Sequence, residues 1–171
     1  MITIAELNAL GPEEFAAQLG PVFEHSPWIA AAAWRDRPFF NRDDIHAAMC
    51  AAVERAGEGP LMELIRAHPD LVGRLAQQGQ LTAESQNEQS SAGLLALDPE
   101  TMAAFEARNA AYREAFGFPF IICARLNSPS TILGAFDLRL KNSRPVEIAT
   151  AWGEIRKIAA LRLADLIRED S

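Results

Sequence analysis

The sequence has little of what marks secreted, membrane or nucleic-acid-binding proteins. It holds only two cysteines, Cys50 and Cys123, with no CxxC pair, and free thiols in a chain whose start does not resemble a signal peptide are typical of a reducing cytoplasm. With 16 Lys+Arg against 23 Asp+Glu, its formal net charge is −7, so it lacks the basic surface that phosphate backbones and anionic lipids require. Its longest apolar runs, 28–34 and 118–124, are far shorter than the roughly 20 residues that cross a bilayer. We therefore expect a cytoplasmic protein that binds neither nucleic acid nor membrane.

Strand-type alternation is nearly absent, whereas helix start and stop signals recur along the chain. Thr3 and Glu6 form a capping-box pattern, and Asp98-Pro99 is typical of an N-cap followed by the first helical residue. A composition of 49% hydrophobic and 23% charged residues is globular. We predict an all-α fold, one compact domain over residues 1–171 with about eight helices. The predicted boundaries are a break at Gly11-Pro12 and helices from Asn41 to Gly57, Pro60 to His68, Thr82 to Leu97, Asp98 to Gly117, Ser128 to Asn142 and Ser143 onward.

The segment from Phe118 to Ala124 is the exception to the helical pattern. It is apolar and rich in β-formers, but it contains Pro119 and has no partner strand of similar character. We therefore predict a buried extended segment between helices rather than a sheet. Its backbone N–H and C=O groups need partners other than a ladder, and an amide-rich ligand could supply some of them.

His68 lies where a helix is predicted to end, because Pro69 disfavours αR for the residue before it. The helix dipole favours a cationic imidazole at this end, and the ordinary histidine pKa of about 6.5 suits proton transfer at neutral pH. The alternative is that His68 merely caps the helix.

A dense polar stretch, 82–91, opens the next predicted helix. Ser85 and Glu88 are three residues apart and share a face, with Gln89 beside them. Such a face could line a pocket with hydrogen-bond donors and acceptors. The alternative is a solvated helix start, because Ser85 and Glu88 also form a capping-box pattern.

Arg162 is the charged member of the stripe on the final helix that should face the core. A guanidinium keeps its proton, so on this stripe it must meet an anion or emerge at a cleft. The alternatives are a structural ion pair with a buried carboxylate and a side chain that snorkels to the surface. We expect an incompletely compensated charge, so that Arg162→Met should keep its stability and lose function. The stripe consists of Ile148, Trp152, Ile155, Ala159, Arg162 and Leu166.

Metal and nucleotide motifs are incomplete or missing. His46 and Cys50 stand four residues apart and could share a metal on one helix face, but no further cysteine or histidine lies nearby in sequence. Neither GxGxxG nor GxxxxGK[ST] occurs. We therefore expect no metal and no nucleotide cofactor.

Taken together, these segments resemble the family of 2-oxo-4-hydroxy-4-carboxy-5-ureidoimidazoline (OHCU) decarboxylases. The likeness covers nearly the whole chain in the family's order and spacing, and the set of motifs is more specific than any single one. Two positions depart from the pattern: Val72 stands where a small residue is common, and Arg125-Leu126 where Lys-Gly often occurs. The motifs are His68-Pro69-Asp70-Leu71, Leu81-Thr82, Ser85-x-x-Glu88-Gln89, Ala92-Gly93-Leu94, Phe116 to Ile121 and Arg162-Leu163.

The resemblance implies an all-helical homodimeric enzyme that converts OHCU to (S)-allantoin, without a cofactor, in urate (purine) breakdown. It implies His68 as the catalytic acid/base, with Glu88 and Arg162 in the same catalytic set. Plant and animal members are peroxisomal, and because Arg168 to Ser171 is not a peroxisomal signal, we expect a bacterial, cytoplasmic member. The implied substrate-binding residues are Pro69, Ser85 and Gln89, with Phe120, Ile121, Ile122 and Ala124 acting through their backbone.

The residues singled out suit this substrate. The carboxylate of OHCU sits on a carbon that adjoins a ring C=N, which can take up the electrons released with CO2 in place of pyridoxal or thiamine. The molecule is also anionic, flat and amide-rich. Arg162 suits an anion or ring carbonyl, Glu88 suits ureido N–H groups, and the extended segment suits the remaining amide edges.

Two other classes of protein have to be weighed. J-domain co-chaperones carry His-Pro-Asp between two helices, but their preceding helix is basic, whereas 60–67 here carries one acid and one base. A helical binding module without catalysis is the second alternative. The presence of His68, Ser85, Glu88 and Arg162 together argues against it.

Overall fold

Helices dominate the computed structural model, which describes residues 1–73, 76 and 78–168. The predicted all-α class is confirmed, and the strands in the described part of the chain are limited to one parallel pair of two residues each. None of the described helices is long and apolar enough to cross a membrane. The α-helices whose bounds are described are α1 (Ile4–Ala9), α2 (Pro12–Leu19), α3 (Trp28–Ala33), α4 (Arg42–Ala56), α5 (Glu58–Ala67), α6 (Ala83–Ser91), α7 (Pro99–Phe116), α8 (Pro129–Arg139) and α9 (Arg144–Leu166).

The helix starts confirm the predicted caps. The Thr3 hydroxyl accepts a hydrogen bond from the Glu6 N–H at 3.2 Å, while the Glu6 carboxylate accepts from the Thr3 N–H at 2.8 Å. Asp98 accepts from the Thr101 N–H at 2.9 Å at the start of α7, and Asn41 caps α4 in the same way. Each cap satisfies a backbone donor that has no partner within its helix.

The end of α6 differs from the prediction. The helix stops at Ser91 rather than at Leu97 because Gly93 adopts φ +74°, a left-handed conformation that glycine enters without steric cost. The Leu94 N–H then donates to the Gln89 carbonyl at 2.9 Å, which is the long hydrogen bond of a Schellman motif. A glycine within a helical pattern therefore ends this helix.

Two further boundaries move by two or three residues. α5 begins at Glu58, not at Pro60, because proline is tolerated within the first turn, where its missing N–H would lack a helical partner anyway. α8 ends at Arg139, not at Asn142. The Asn142 amide instead donates to the Glu147 carboxylate at 2.9 Å.

The chain divides into two compact units. Unit 1 comprises Met1–Ala67 and the chain from Arg156 onward, and unit 2 comprises His68–Ile155, so that α9 contributes to both. Within unit 1, α3 packs against α2 and α4, and α4 packs against α5. The strand β1 (Ile2–Thr3) pairs in parallel with β2 (Ile167–Arg168) and ties the start of this unit to its end.

Unit 2 is built around an aromatic core. Phe120 stacks on Phe136 with ring centroids 3.7 Å apart, and Tyr112 meets Phe120 edge-on at 5.2 Å. The predicted extended segment is confirmed, since every residue from 118 to 124 is buried and no strand or α-helix forms before a short 3-10 turn at 124–126. This segment and its rings link α7 to α8 through the middle of the unit.

Candidate functional site

His68 occupies the position that its sequence context predicts. α5 ends at Ala67, and His68 immediately after it is a buried residue, only 7% exposed. Pro69 and Asp70 beside it are half-buried. A largely buried histidine at a helix terminus has the setting in which a proton-transfer group can be oriented by its neighbours.

The buried face of α6 is polar. Thr82 is the N-cap, and its hydroxyl accepts from the Ser85 N–H at 3.3 Å, so the alternative in which Ser85 itself caps the helix is wrong. The two buried residues of α6 are Ser85 and Gln89, 4% and 2% exposed, with Glu88 half-buried near them. A short helix normally buries apolar side chains, because burying polar ones costs free energy unless they find partners. The buried face of this helix therefore carries hydrogen-bonding groups where an ordinary core helix carries apolar side chains.

Both ends of the Gln89 side-chain amide form hydrogen bonds to the backbone shortly after His68. Its Oε1 accepts from the Val72 N–H at 3.0 Å, and its Nε2 donates to the Asp70 carbonyl in a long contact of 3.4 Å. Val72 has φ +54°, which is uncommon for a β-branched residue. Gln89 thus supports the loop next to His68, and its contact with substrate stays a prediction.

Helix α7 supplies two further contacts to this loop that the sequence analysis missed. The Asn109 amide donates to the Leu71 carbonyl at 2.8 Å, and the Arg113 Nε donates to both carboxylate oxygens of Asp70 at 3.0 Å. The sequence contained a pattern that could have indicated one of them, Asn109. The buried residues of α7 are Phe105, Asn109, Tyr112 and Phe116, so Asn109 is the polar member of an otherwise aromatic stripe.

Backbone groups of the buried segment 118–124 form hydrogen bonds with side chains, because the segment has no neighbouring strand to pair with in the described part of the chain. Arg139 Nη1 donates to the Ile121 carbonyl at 2.6 Å, and the guanidinium lies over the Phe120 ring at 4.2 Å from its centroid. The Cys123 N–H donates to the Glu154 carboxylate at 2.7 Å. The turn at 124–126 that follows packs against α6. Unit 2 therefore brings the end of this segment to the polar helix.

Arg139 is itself fixed by a fully buried carboxylate. Glu147 is 0% exposed and accepts hydrogen bonds from Arg139, Tyr112 and Asn142. Burial raises the pKa of Glu147, but these three donors outweigh it and hold the pKa below its ordinary value. Burial and the hydrogen bond to Glu147 raise the pKa of Tyr112. The ionised Glu147 carboxylate therefore fixes Arg139, and Arg139 in turn holds the buried segment at the Ile121 carbonyl.

Arg162, in unit 1, has a carboxylate partner. It is 4% exposed, and its Nη2 lies 3.0 Å from Oε2 of Glu24, which is 2% exposed. Its Nη1 donates to the Pro21 carbonyl at 3.0 Å. The expectation of an incompletely compensated charge is therefore wrong, because the structure contains the buried ion pair that was the alternative. Its role toward substrate stays a prediction.

His46 and Cys50 form a contact on α4. Cys50 Sγ lies 3.6 Å from His46 Nε2, which is also 2.8 Å from the Arg156 carbonyl. Burial raises the pKa of the Cys50 thiol. Within residues 1–73, 76 and 78–168, no group of three or more His, Cys, Asp or Glu is placed to hold a metal ion.

Comparison with known proteins identifies the family. Residues 8–164 match the family model described as OHCU decarboxylase, and the chain belongs to this family. It is 42% identical to the OHCU decarboxylase of Halalkalicoccus jeotgali and 42% identical to that of Mus musculus, covering 96% of this chain and 92% of the relative in both cases. The co-chaperone alternative is therefore wrong.

Two solved structures are similar in fold. A structure of (S)-allantoin synthase matches with a TM-score of 0.78 and 29% identity over 97% of this chain, which spans only 54% of that longer chain. A structure of OHCU decarboxylase in the presence of (S)-allantoin matches with a TM-score of 0.68 over 91% of this chain and 98% of its own. At 24% identity, this second likeness concerns the fold alone.

Proposed function

We propose that this protein decarboxylates OHCU to (S)-allantoin in urate breakdown, without a cofactor. The observation that carries the proposal is the polar buried face of α6, next to the loop that follows a buried His68, in a chain of the OHCU decarboxylase family. The hydroxyl, amide and carboxylate groups on this helix offer the hydrogen-bond donors and acceptors that an amide-rich substrate needs.

The reaction needs no external electron sink. When the bond to the carboxylate breaks and CO2 leaves, its electron pair moves toward the adjoining C=N, whose nitrogen takes a proton. The carbon of the former C=N then takes a proton on one face, while the neighbouring hydroxyl loses its proton and becomes a carbonyl. The protein's task is to orient the substrate, place charge and move protons on one face.

His68 is the group proposed to transfer the proton. In the same proposal Ser85 and Glu88 bind ureido and ring N–H groups, and Arg162 binds the carboxylate or a ring carbonyl. Pro69 packs beside these substrate-binding side chains, and the backbone from Phe120 to Ala124 meets the amide edges. The role of Arg162 has to coexist with its ion pair to Glu24.

The test is the decay of freshly generated OHCU, followed by circular dichroism of the product. Uncatalysed decay gives racemic allantoin, so we expect the purified, chelator-treated protein to speed up the decay and to give an optically active product. A racemic product formed at the uncatalysed rate would refute the function and would favour the non-catalytic binding module.

The role of His68 is tested by His68→Asn. Loss of the proton-transfer group should lower turnover by about 10²–10⁴-fold without unfolding the protein. His46→Asn is the matched control, because His46 lies on α4 and its described partners are the Arg156 carbonyl and the Cys50 thiol, both outside the proposed site. It should keep near-normal turnover. If His68→Asn behaved like the control, His68 would be a helix cap.

We also propose a homodimer in the cytoplasm that binds neither nucleic acid nor membrane. The net charge of −7 supports the last point, and two buried free cysteines suit a reducing compartment. The dimer rests on the family resemblance alone. Light scattering coupled to size exclusion tests it, and a monomer mass at micromolar protein would contradict it.

A further inference from the structure

The loop after His68 is anchored at three consecutive residues. The Asp70 carboxylate meets Arg113, the Leu71 carbonyl accepts from Asn109, and the Val72 N–H donates to Gln89. We name residues 68–73 the His68 loop. These three anchors come from α6 and α7, both in unit 2.

The backbone of the His68 loop is strained and tight. Val72 holds φ +54°, which costs a β-branched residue free energy that its surroundings must supply. A Cβ atom added to Gly73 would lie 2.7 Å from Asp70 Cβ, so the turn closes on itself with no room for a side chain. A loop of this kind relaxes when its anchors are removed, and His68 would move with it.

Asn109 is a poor choice for stability alone. It is 6% exposed, and within the described part of the chain its Oδ1 is a buried side-chain oxygen that has no hydrogen-bond partner. An unsatisfied buried acceptor destabilises a protein. The benefit of an amide at this position is the bond from its Nδ2 to the Leu71 carbonyl.

We propose that Arg113 and Asn109 are positioning residues that orient the His68 imidazole by anchoring the His68 loop to α7. This inference rests on the proposed function, in which His68 moves the proton. Neither residue needs to touch the substrate. Their contribution is to keep the imidazole within the narrow range of positions that proton transfer requires.

The chain offers a matched control on the same helix. Arg108 on α7 forms an ion pair with Asp137, with Nε–Oδ1 and Nη2–Oδ2 distances of 3.0 and 3.1 Å. Like the pair of Arg113 and Asp70, it is partly exposed. It contacts α8 instead of the His68 loop. A general effect of losing a surface ion pair on α7 would appear in both variants.

The first test compares Arg113→Gln with Arg108→Gln on OHCU. We expect Arg113→Gln to lower kcat by about 10-fold to 100-fold, with a much smaller change in KM and a melting temperature close to that of Arg108→Gln, which keeps wild-type kcat. Arg113→Lys should recover part of the loss. Because Arg113 acts through Asp70, adding Asp70→Asn to Arg113→Gln should lower kcat little further. Equal kcat in Arg113→Gln and Arg108→Gln, or fully additive losses with Asp70→Asn, would overturn the proposal.

The second test does not depend on turnover. NMR of the histidine ring signals should show the His68 resonance shifted and broadened in Arg113→Gln, with those of His25 and His46 unchanged, and all three should keep their wild-type positions in Arg108→Gln. An unchanged His68 signal in Arg113→Gln would overturn the positioning role. Failure of the proposed function would appear separately, as a wild-type protein that does not accelerate OHCU decay.

Discussion

Units 1 and 2 each bury an arginine–glutamate pair, and the groups described as bonded to the two pairs differ. In unit 2, Glu147 accepts from Arg139, Tyr112 and Asn142. In unit 1, the bonds described for Arg162 go to Glu24 and to the Pro21 carbonyl.

The comparison shows that burial of a guanidinium does not by itself distinguish a structural residue from a catalytic one. The Arg139 guanidinium donates to the Ile121 carbonyl and lies over the Phe120 ring, so these contacts are internal to the fold. Arg162 has a buried carboxylate partner and also matches a motif of its family. One arginine can therefore stabilise the fold and still be proposed to bind substrate, and only paired measurements of stability and turnover separate these roles.

The largest expected effect is that of Arg162→Met, which should lose both stability and activity. Removing the guanidinium takes away the buried cation that pairs with the Glu24 carboxylate, at a cost of roughly 3–5 kcal/mol in the free energy of unfolding. Urea unfolding and OHCU turnover measure the two losses. Adding Glu24→Gln should recover much of the stability but not the turnover. If turnover returned with stability, Arg162 would have no role beyond its ion pair.

Arg139→Met should destabilise the protein by a similar amount, about 3–5 kcal/mol, because Glu147 is left buried without its cation. Turnover per folded molecule should fall less than in Arg162→Met, since no substrate contact is assigned to Arg139. The two variants are compared at a temperature where both are folded. A greater loss of turnover from Arg139→Met would reverse the roles assigned to the two pairs.

The pH dependence of stability gives a smaller effect. The pKa of Glu147 is lowered below 4.5 in the folded protein, so its ionised form adds stability above the unfolded-state pKa, and this contribution disappears as pH falls through the folded-state pKa. The difference in unfolding free energy between wild type and Glu147→Gln should be largest at neutral pH and shrink in acid. A difference independent of pH would mean that Glu147 is not ionised in the fold.

The smallest expected effect is that of Arg108→Gln. Arg108 and Asp137 form an ion pair with two hydrogen bonds, but unlike the buried pairs its side chains are 30% and 58% exposed. Water already solvates both charges, so the free energy of unfolding should stay within experimental error of wild type. A clear loss in this variant would show that the geometry of the pair, and not its burial, sets the cost of breaking it.

Local features of the fold were predictable because the residues that decide them are neighbours in sequence. Thr3 with Glu6, and Asp98 with Thr101, form the predicted caps. Pro69 ends α5 before His68, and the proline-containing segment around 118–124 is buried without a sheet. The end of α6 was missed because Gly93 was assigned to the helix and not to its left-handed C-terminal position.

Part of the candidate site was equally predictable from the sequence. Ser85 and Glu88 share a face of α6 because helical periodicity places residues three apart together, and the structure describes Ser85 as buried. Helical periodicity does not tell which groups of the protein or substrate this face of α6 contacts. Gln89 was predicted as a ligand contact, whereas the bonds described for its side chain go to the loop next to His68.

By itself, the sequence determined the all-α class, most helix boundaries, the buried extended segment and the family. Only the tertiary structure decided the partners of the charged groups. Glu24 and Arg162 are 138 positions apart, and Asp70 and Arg113 are 43 apart. Hydrogen bonds within a helix turn follow from local backbone geometry. An ion pair between residues distant in sequence exists only after packing has brought the nitrogen of one side chain within about 3–4 Å of the oxygen of the other.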